Sequence, residues 1–178
     1  MATQTSSTIH ADSKLHTFFV KQLQDIYWAE KKLVKTLPKL EEAATTAKLK
    51  EAFHSHQIQT ETHVSRLESI FELVNEEPQA LKCAAMAGIT DEGEDIIDET
   101  DEGTAQRDVG LIFAGQKAEH YEIATYGGMH QLAKTLGYAE VANLLAQTLD
   151  EEKEADELLT SIAENDINYQ ALNEKDDE

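Results

Sequence analysis

The run Gln116-Lys-Ala-Glu-His-Tyr-Glu-Ile-Ala-Thr-Tyr-Gly127 places Glu119 and Glu122 one turn apart in the middle of an otherwise apolar helix. An ionised carboxylate taken out of water costs on the order of several kcal/mol unless a cation or a set of donors meets it. Whatever fold the chain adopts must set something opposite these two acids.

Four apolar stripes with helical spacing surround this run. Ser13 is positioned to cap a first helix carrying Leu15, Phe19, Leu23, Ile26, Leu33, Leu37 and Leu40, ending near residues 43–46. Pro38 falls inside that pattern and removes one backbone donor, so a kink or a local change of packing is expected there. A second stripe, Leu49, Phe53, Leu67, Ile70 and Val74, closes at Asn75-Glu-Glu-Pro78. A short turn between the two stripes makes residues 12–76 an antiparallel hairpin.

Residues 77–103 are too few for another hairpin and read as a crossover with one or two short helices, apolar at Leu81, Ala84, Ala85, Met86, Ile89, Ile96 and Ile97. Between Asp91 and Glu102 it carries eight acids and no base, read as a solvated face. Thr104 opens a third helix with Val109, Ile112, Phe113, Ile123 and Tyr126, stopped by Gly137 as a left-handed cap. The fourth follows at once with Val141, Leu145, Leu149, Leu159 and Ile162. Two tight hairpins joined by one long connection give an all-α, ferritin-like four-helix bundle. The expected organisation is a loose N-terminal tail (1–11), the bundle (12–165) and a frayed acidic C-terminal tail (166–178).

Composition narrows the partners. Thirty-five acids against 15 bases give a formal net charge of −20, which repels phosphate backbones and anionic lipid, so neither nucleic acid nor membrane is expected to bind. The single cysteine, Cys83, excludes an internal disulfide and reads as a small buried apolar residue in a reducing compartment. No apolar run approaches the ~20 residues of a membrane span, and Met1-Ala-Thr-Gln-Thr-Ser-Ser-Thr8 lacks the parts of a signal peptide. A cytoplasmic protein is expected.

The polar residues that fill the gaps in the stripes are Glu30 on helix one, His56, Gln59, Thr60 and His63 on helix two, Glu119 and Glu122 on helix three, and Glu152 and Asp156 on helix four. Folding each hairpin about its turn levels Glu30 with His63, and Glu119 and Glu122 with Asp156 and Glu152. Both Glu30 to His63 and Glu119 to Glu152 span 33 residues, so the two hairpins present ligand-type groups at matching heights. Carboxylates with imidazoles and no thiolate suit iron or manganese, with zinc as a further choice, and two ions bridged by a glutamate would offset the most charge. The expected ligands are Glu30, His56, His63, Glu119, Glu122, Glu152 and Asp156. His56 and His63 stand two turns, about 10 Å, apart, which excludes both from one compact centre and favours His63 by level. Tyr27 and Tyr121 read either as donors behind the ligands or as packed phenols with one hydrogen bond. His10, His16, His54, His120 and His130 read as ordinary.

The chain resembles the YciE/YciF family of ferritin-like bacterial stress proteins from about Leu15 to Ala163. The resemblance is carried by Asp25, Tyr27, Ala29 and Glu30, by Phe53-His-Ser-His56 with Thr60 and Arg66, by Lys82-Cys-Ala-Ala-Met86 with Gly88, by Glu119-His-Tyr-Glu-Ile-Ala124 with Tyr126-Gly127, by Leu136-Gly-Tyr138, and by Glu151-Glu-Lys153 with Asp156. It implies a ferritin-like bundle, a homodimer, a link to stress responses and a dinuclear metal centre of open biochemical role. The chain departs from the family at Gln59, where an acid is common three residues after His56; the amide subtracts a charge from the site. Two functions compete: a redox enzyme or metal handler reacting with peroxide or oxygen, and a non-catalytic structural or stress-protective protein. No catalytic residue is assigned.

Overall fold

The computed structural model describes residues 13–175; the expected N-terminal tail, 1–11, lies outside them. The chain forms α1 (Lys14–Ala43), α2 (Ala47–Leu73), α3 (Ala84–Glu99), α4 (Ala105–Leu136), α5 (Ala139–Ile162), a π-helical turn (Ala163–Ile167) and α6 (Asn168–Asn173). α1 pairs with α2 and α4 with α5 as antiparallel hairpins, which pack together through α1 on α4 and α2 on α5. The crossover holds a single helix, α3, laid against α4 and α1. This is the ferritin-like four-helix bundle. Among the described residues no helix is long and apolar enough to cross a membrane.

The helix ends are set locally. Ser13, Thr46 and Thr104 each accept a hydrogen bond from the backbone N–H three residues on, at 3.0, 3.4 and 3.2 Å. Gly137 closes α4 at φ 79°, a left-handed conformation that glycine adopts without a Cβ penalty. α1 runs through Pro38 to Ala43. The donor lost there would have met the carbonyl of Val34, and Pro38 and Val34 are both only half-buried.

Two features depart from the sequence reading. Phe113, expected in the core stripe, is 62% exposed. The buried face of α4 instead runs Leu111, Gly115, Ala118, Glu119, Glu122, Tyr126, Met129 and Ala133, with small residues and acids at the middle of the bundle. Hydrophobicity alone therefore misplaces its phase. The frayed tail from Asn165 is likewise corrected: the π-helical turn and α6 continue α5, and Ile167 is 1% exposed within the core cluster. The apolar side chain of Ile167 and a later capping carboxylate hold this segment down, features that its acid content conceals. Glu174 accepts from the backbone N–H groups of Ala105 and Gln106 at 2.6 and 2.9 Å, capping α4 from the far end of the chain.

One buried acid ties this end of the bundle together. Asp108, 0% exposed, accepts from the N–H groups of Thr45 at 2.6 Å and Thr46 at 2.8 Å. It satisfies the orphan donors of the α1–α2 turn from the first turn of α4. Replacing it leaves those donors dry, so Asp108→Ala is expected to cost about 1–3 kcal/mol. Ile167→Ala is expected to cost about 2–5 kcal/mol if this segment belongs to the fold. Urea denaturation of both variants measures these losses; a negligible change for Ile167→Ala would restore the frayed tail.

Candidate metal centre

The buried residues of α2 step by three or four along Leu49, Phe53, His56, Thr60, His63, Leu67 and Ile70. The two imidazoles thus occupy core positions of an apolar helix face, pointing at the midpoint of the bundle. Opposite them arrive Glu30 from α1, Glu119 and Glu122 from α4, and Glu152 from α5. These six side chains form two groups, His56, Glu119, Glu122 and Glu152 on one side and Glu30, His63 and Glu152 on the other. Within each group, one donor atom from every residue lies within 4.8 Å of the rest.

Glu152 belongs to both groups, one oxygen to each. Its Oε1 stands 3.0 Å from His63 Nδ1 and its Oε2 3.8 Å from His56 Nε2. His56 Nε2 is also 3.2 Å from Glu119 Oε1, and His63 Nδ1 is 3.5 Å from Glu30 Oε1. A second layer orients these groups. The Tyr126 hydroxyl, fully buried, donates to Glu30 Oε1. His63 Nε2 meets Glu151 Oε2 at 2.9 Å, and Arg66 holds Glu151 with contacts of 2.6 and 3.1 Å while donating to Thr148 Oγ1. A carboxylate on the far ring nitrogen fixes an imidazole's orientation and raises its basicity as a ligand.

The centre is short of positive charge. Among the described residues no Lys or Arg pairs with Glu30, Glu119, Glu122 or Glu152; the basic groups that face them are the two imidazoles. Seven buried atoms here have no hydrogen-bond partner: Glu30 Oε2, His63 Nδ1, Glu119 Oε2, and both oxygens of Glu122 and of Glu152. Burial, then the Glu152 charge, push the Glu119 and Glu122 carboxyls well above the usual carboxylate range. Burial lowers His56. Burial also works to lower His63, but the adjacent Glu152 and Glu30 carboxylates outweigh it and carry the imidazole up to about 10. Hard carboxylate oxygens with two imidazoles and no thiolate are a donor set for divalent iron, manganese or zinc. Four carboxylates would balance two divalent ions, so the residues present fit a two-ion centre without any contribution from Gln59.

Of the seven ligands expected from sequence, six converge and Asp156 does not. Its carboxylate accepts from Gln116 Nε2 at 3.1 Å and faces His120 at 3.5 Å, at the edge of the bundle. Four residues beyond Glu152 turn a helix by about 400°, some 40° past the core direction. His56 and His63, expected not to share one compact centre, fall in different groups, which the carboxylate of Glu152 joins. Gln59 sits at the flank, its Oε1 3.4 Å from His56 Nδ1. Tyr27 donates to Glu68 and Tyr121 to Asp25, both away from the ligands. Tyr126, Glu151 and Arg66 were missed as site residues. For Tyr126 the spacing signals it, four residues after Glu122 on the same face; Glu151 and Arg66 stand among the residues that carry the resemblance, but only the tertiary structure joins them to His63.

The raised groups all act in one direction. A group whose folded pKa lies above its unfolded value contributes stability below the unfolded pKa and loses it as pH rises through the folded one. Without metal, Glu119 and Glu122 are expected to cost stability as pH rises from about 5, and His63 as it rises from about 6.5 to about 10. The double variant Glu119→Gln/Glu122→Gln cannot ionise at these positions. In chelator-treated protein it is expected to exceed the parent in stability by a margin that widens from pH 5.5 to 9, measured by urea denaturation. A constant margin would mean that the two carboxyls do not titrate in the fold.

A protein family described as a domain of unknown function (DUF892) matches residues 14–172. Protein YciF of Escherichia coli (strain K12) is 42% identical over 156 residues, spanning 87% of this chain and 93% of that protein. The crystal structure of the E. coli stress protein YciF superposes with a TM-score of 0.83 at 41% identity, covering 88% of this chain and 98% of that one. YcfI of Rhodopseudomonas palustris, described as a putative structural protein, matches with a TM-score of 0.81 at 31% identity over 85% of this chain and 96% of that one. Bundle, crossover and extent all agree with these relatives, and the chain belongs to the DUF892 family, as a homologue of the stress protein YciF.

Proposed function

We propose that this protein is a ferritin-like stress protein that holds two ions of iron or manganese, with zinc as a further choice, at the middle of its bundle. Glu30, His63 and Glu152 would hold one ion, and His56, Glu119, Glu122 and Glu152 the other. The observation that carries this reading is the sharing of Glu152, one oxygen to each group of buried ligand atoms. Two bound iron or manganese ions supply electron exchange with peroxide or oxygen; without that exchange the same centre is a metal-handling site. The chain's own residues prepare the place. Tyr126 holds Glu30 through its Oε1 and leaves Oε2 free. Glu151, itself held by Arg66, fixes the ring of His63 so that Nδ1 faces inward. The homodimer and cytoplasmic setting expected from sequence belong to the same proposal.

A second reading is a stress-protective structural protein whose centre stays empty, favoured by the amide at Gln59 and by the description of the R. palustris relative. Metal analysis after loading separates the two. Two ions per chain are expected in the parent, about one in His56→Ala or His63→Ala, and none bound tightly in Glu152→Ala. At 100 times the dissociation constant a bound ion raises stability by about 2.7 kcal/mol. Loss of metal in every variant alike would exclude two separable half-sites, and no metal in the parent would leave the structural reading.

A further inference from the structure

The two halves of the centre differ in their access. Glu30 and His63 are both 0% exposed, closed in by Tyr126 and by the Glu151–Arg66 pair. The other half is reached from outside. A cavity of about 190 Å³ opens between α2 and α5, and its lining includes His56 and Glu119. Its walls are Ala52 and Phe53 on α2 and Ala155, Leu158 and Leu159 on α5. Beyond the His56–Glu119 pair only a void of about 20 Å³ follows, between Leu33, Leu37, Leu40 and Ala118. The cavity therefore ends at the His56–Glu119 pair.

Size, walls and charge together define an occupant. Hydrogen peroxide, with two heavy atoms, fills little more than the ~30 Å³ share of one or two waters, so the cavity exceeds what that oxidant needs. Apolar walls favour an alkyl group. Glu154 in the lining and the net charge of −20 repel an anion, while Ser55 and Gln59 supply neutral polar contacts. We propose that this cavity is a binding pocket for a small uncharged organic oxygen compound of the short-chain alkyl hydroperoxide class. The oxygen end sits at His56 and Glu119 and the alkyl end against Ala155, Leu158 and Leu159. Among the described residues this cavity reaches the centre from the His56 half. The choice of a peroxide rests on the proposed two-ion centre; the pocket and its preference for an uncharged molecule do not.

The test uses tert-butanol, an unreactive molecule of the same shape, titrated into zinc-loaded and metal-free protein while methyl resonances are followed by NMR. Saturable shifts at Ala52, Ala155, Leu158 and Leu159 in the millimolar range are expected, with acetate at least tenfold weaker. Ala155→Trp fills the cavity and is expected to weaken the shifts tenfold or more while zinc uptake stays at the parent's stoichiometry. Should that variant fail to fold, Leu158→Trp gives the same readout, since Leu158 is 48% exposed and a larger side chain can remain at the mouth. Absence of saturable shifts in the parent, equal binding of acetate, or filled variants that shift like the parent would each overturn the proposal. Failure of zinc to bind counts against the metal centre alone, and tert-butanol binding to the metal-free protein then still decides the pocket.

Discussion

Four carboxylates buried at the middle of a helical bundle, with no Lys or Arg beside them among the described residues and two imidazoles opposite, are the constraint around which this molecule is built. In a medium of low dielectric they repel one another, and each loses the water that would have solvated it. Protons relieve part of this, since burial and mutual repulsion raise Glu119 and Glu122. Protonation leaves the lone pairs without donors. Divalent ions would relieve both problems, by charge and by coordination, and Glu152 belongs to both groups of residues that could hold one.

The rest of the structure keeps these groups where they would not stay by themselves. Each helix contributes a long apolar face, and the layers of Phe19, Leu23, Leu67 and Leu145 on one side and Leu37, Leu40, Phe53 and Leu159 on another make the bundle cohesive enough to tolerate an unfavourable centre. Hydrogen bonds at the end of the bundle do the complementary work. Asp108 closes the α1–α2 turn, Glu174 caps α4, and Arg107 donates to the carbonyls of Ile97 and Thr100 at the end of α3. With the termini of several helices anchored to one another, the register that levels Glu30, His63, Glu119 and Glu152 is held from outside the site.

Within the centre, the asymmetry is chemical as well as spatial. Burial works to lower His63, but the adjacent Glu152 and Glu30 carboxylates draw it upward, while Glu151 meets its other ring nitrogen in a fully enclosed site. His56 lies beside the α2/α5 cavity with only Gln59 on its other nitrogen, and burial lowers it. An acid in place of Gln59 would give His56 the same carboxylate backing that Glu151 gives His63. The amide makes the two imidazoles unlike, and it does so on the side that opens to solvent.

The four bundle helices, the long crossover, the left-handed stop at Gly137 and six of the seven groups expected at the middle of the bundle were legible from periodicity, because each depends on residues a few positions apart or on the levelling of two hairpins about short turns. What only the tertiary structure decided are the features that depend on rotation about a helix axis or on contacts across the chain. A rotation of some 40° separates Glu152 from Asp156, and no stripe of apolar residues resolves so small an angle on a helix as mixed as α4 or α5. The pairing of Tyr126 with Glu30, of Glu151 with His63, and of Glu174 with the start of α4 joins residues 96, 88 and 69 positions apart. Local sequence marked Glu30, Glu119, Glu122 and Glu152 as core acids, because each interrupts an apolar stripe, but it set Asp156 beside them and left the buried Asp108 unmarked. The meeting of four helices decided how those acids divide into two groups about one shared carboxylate.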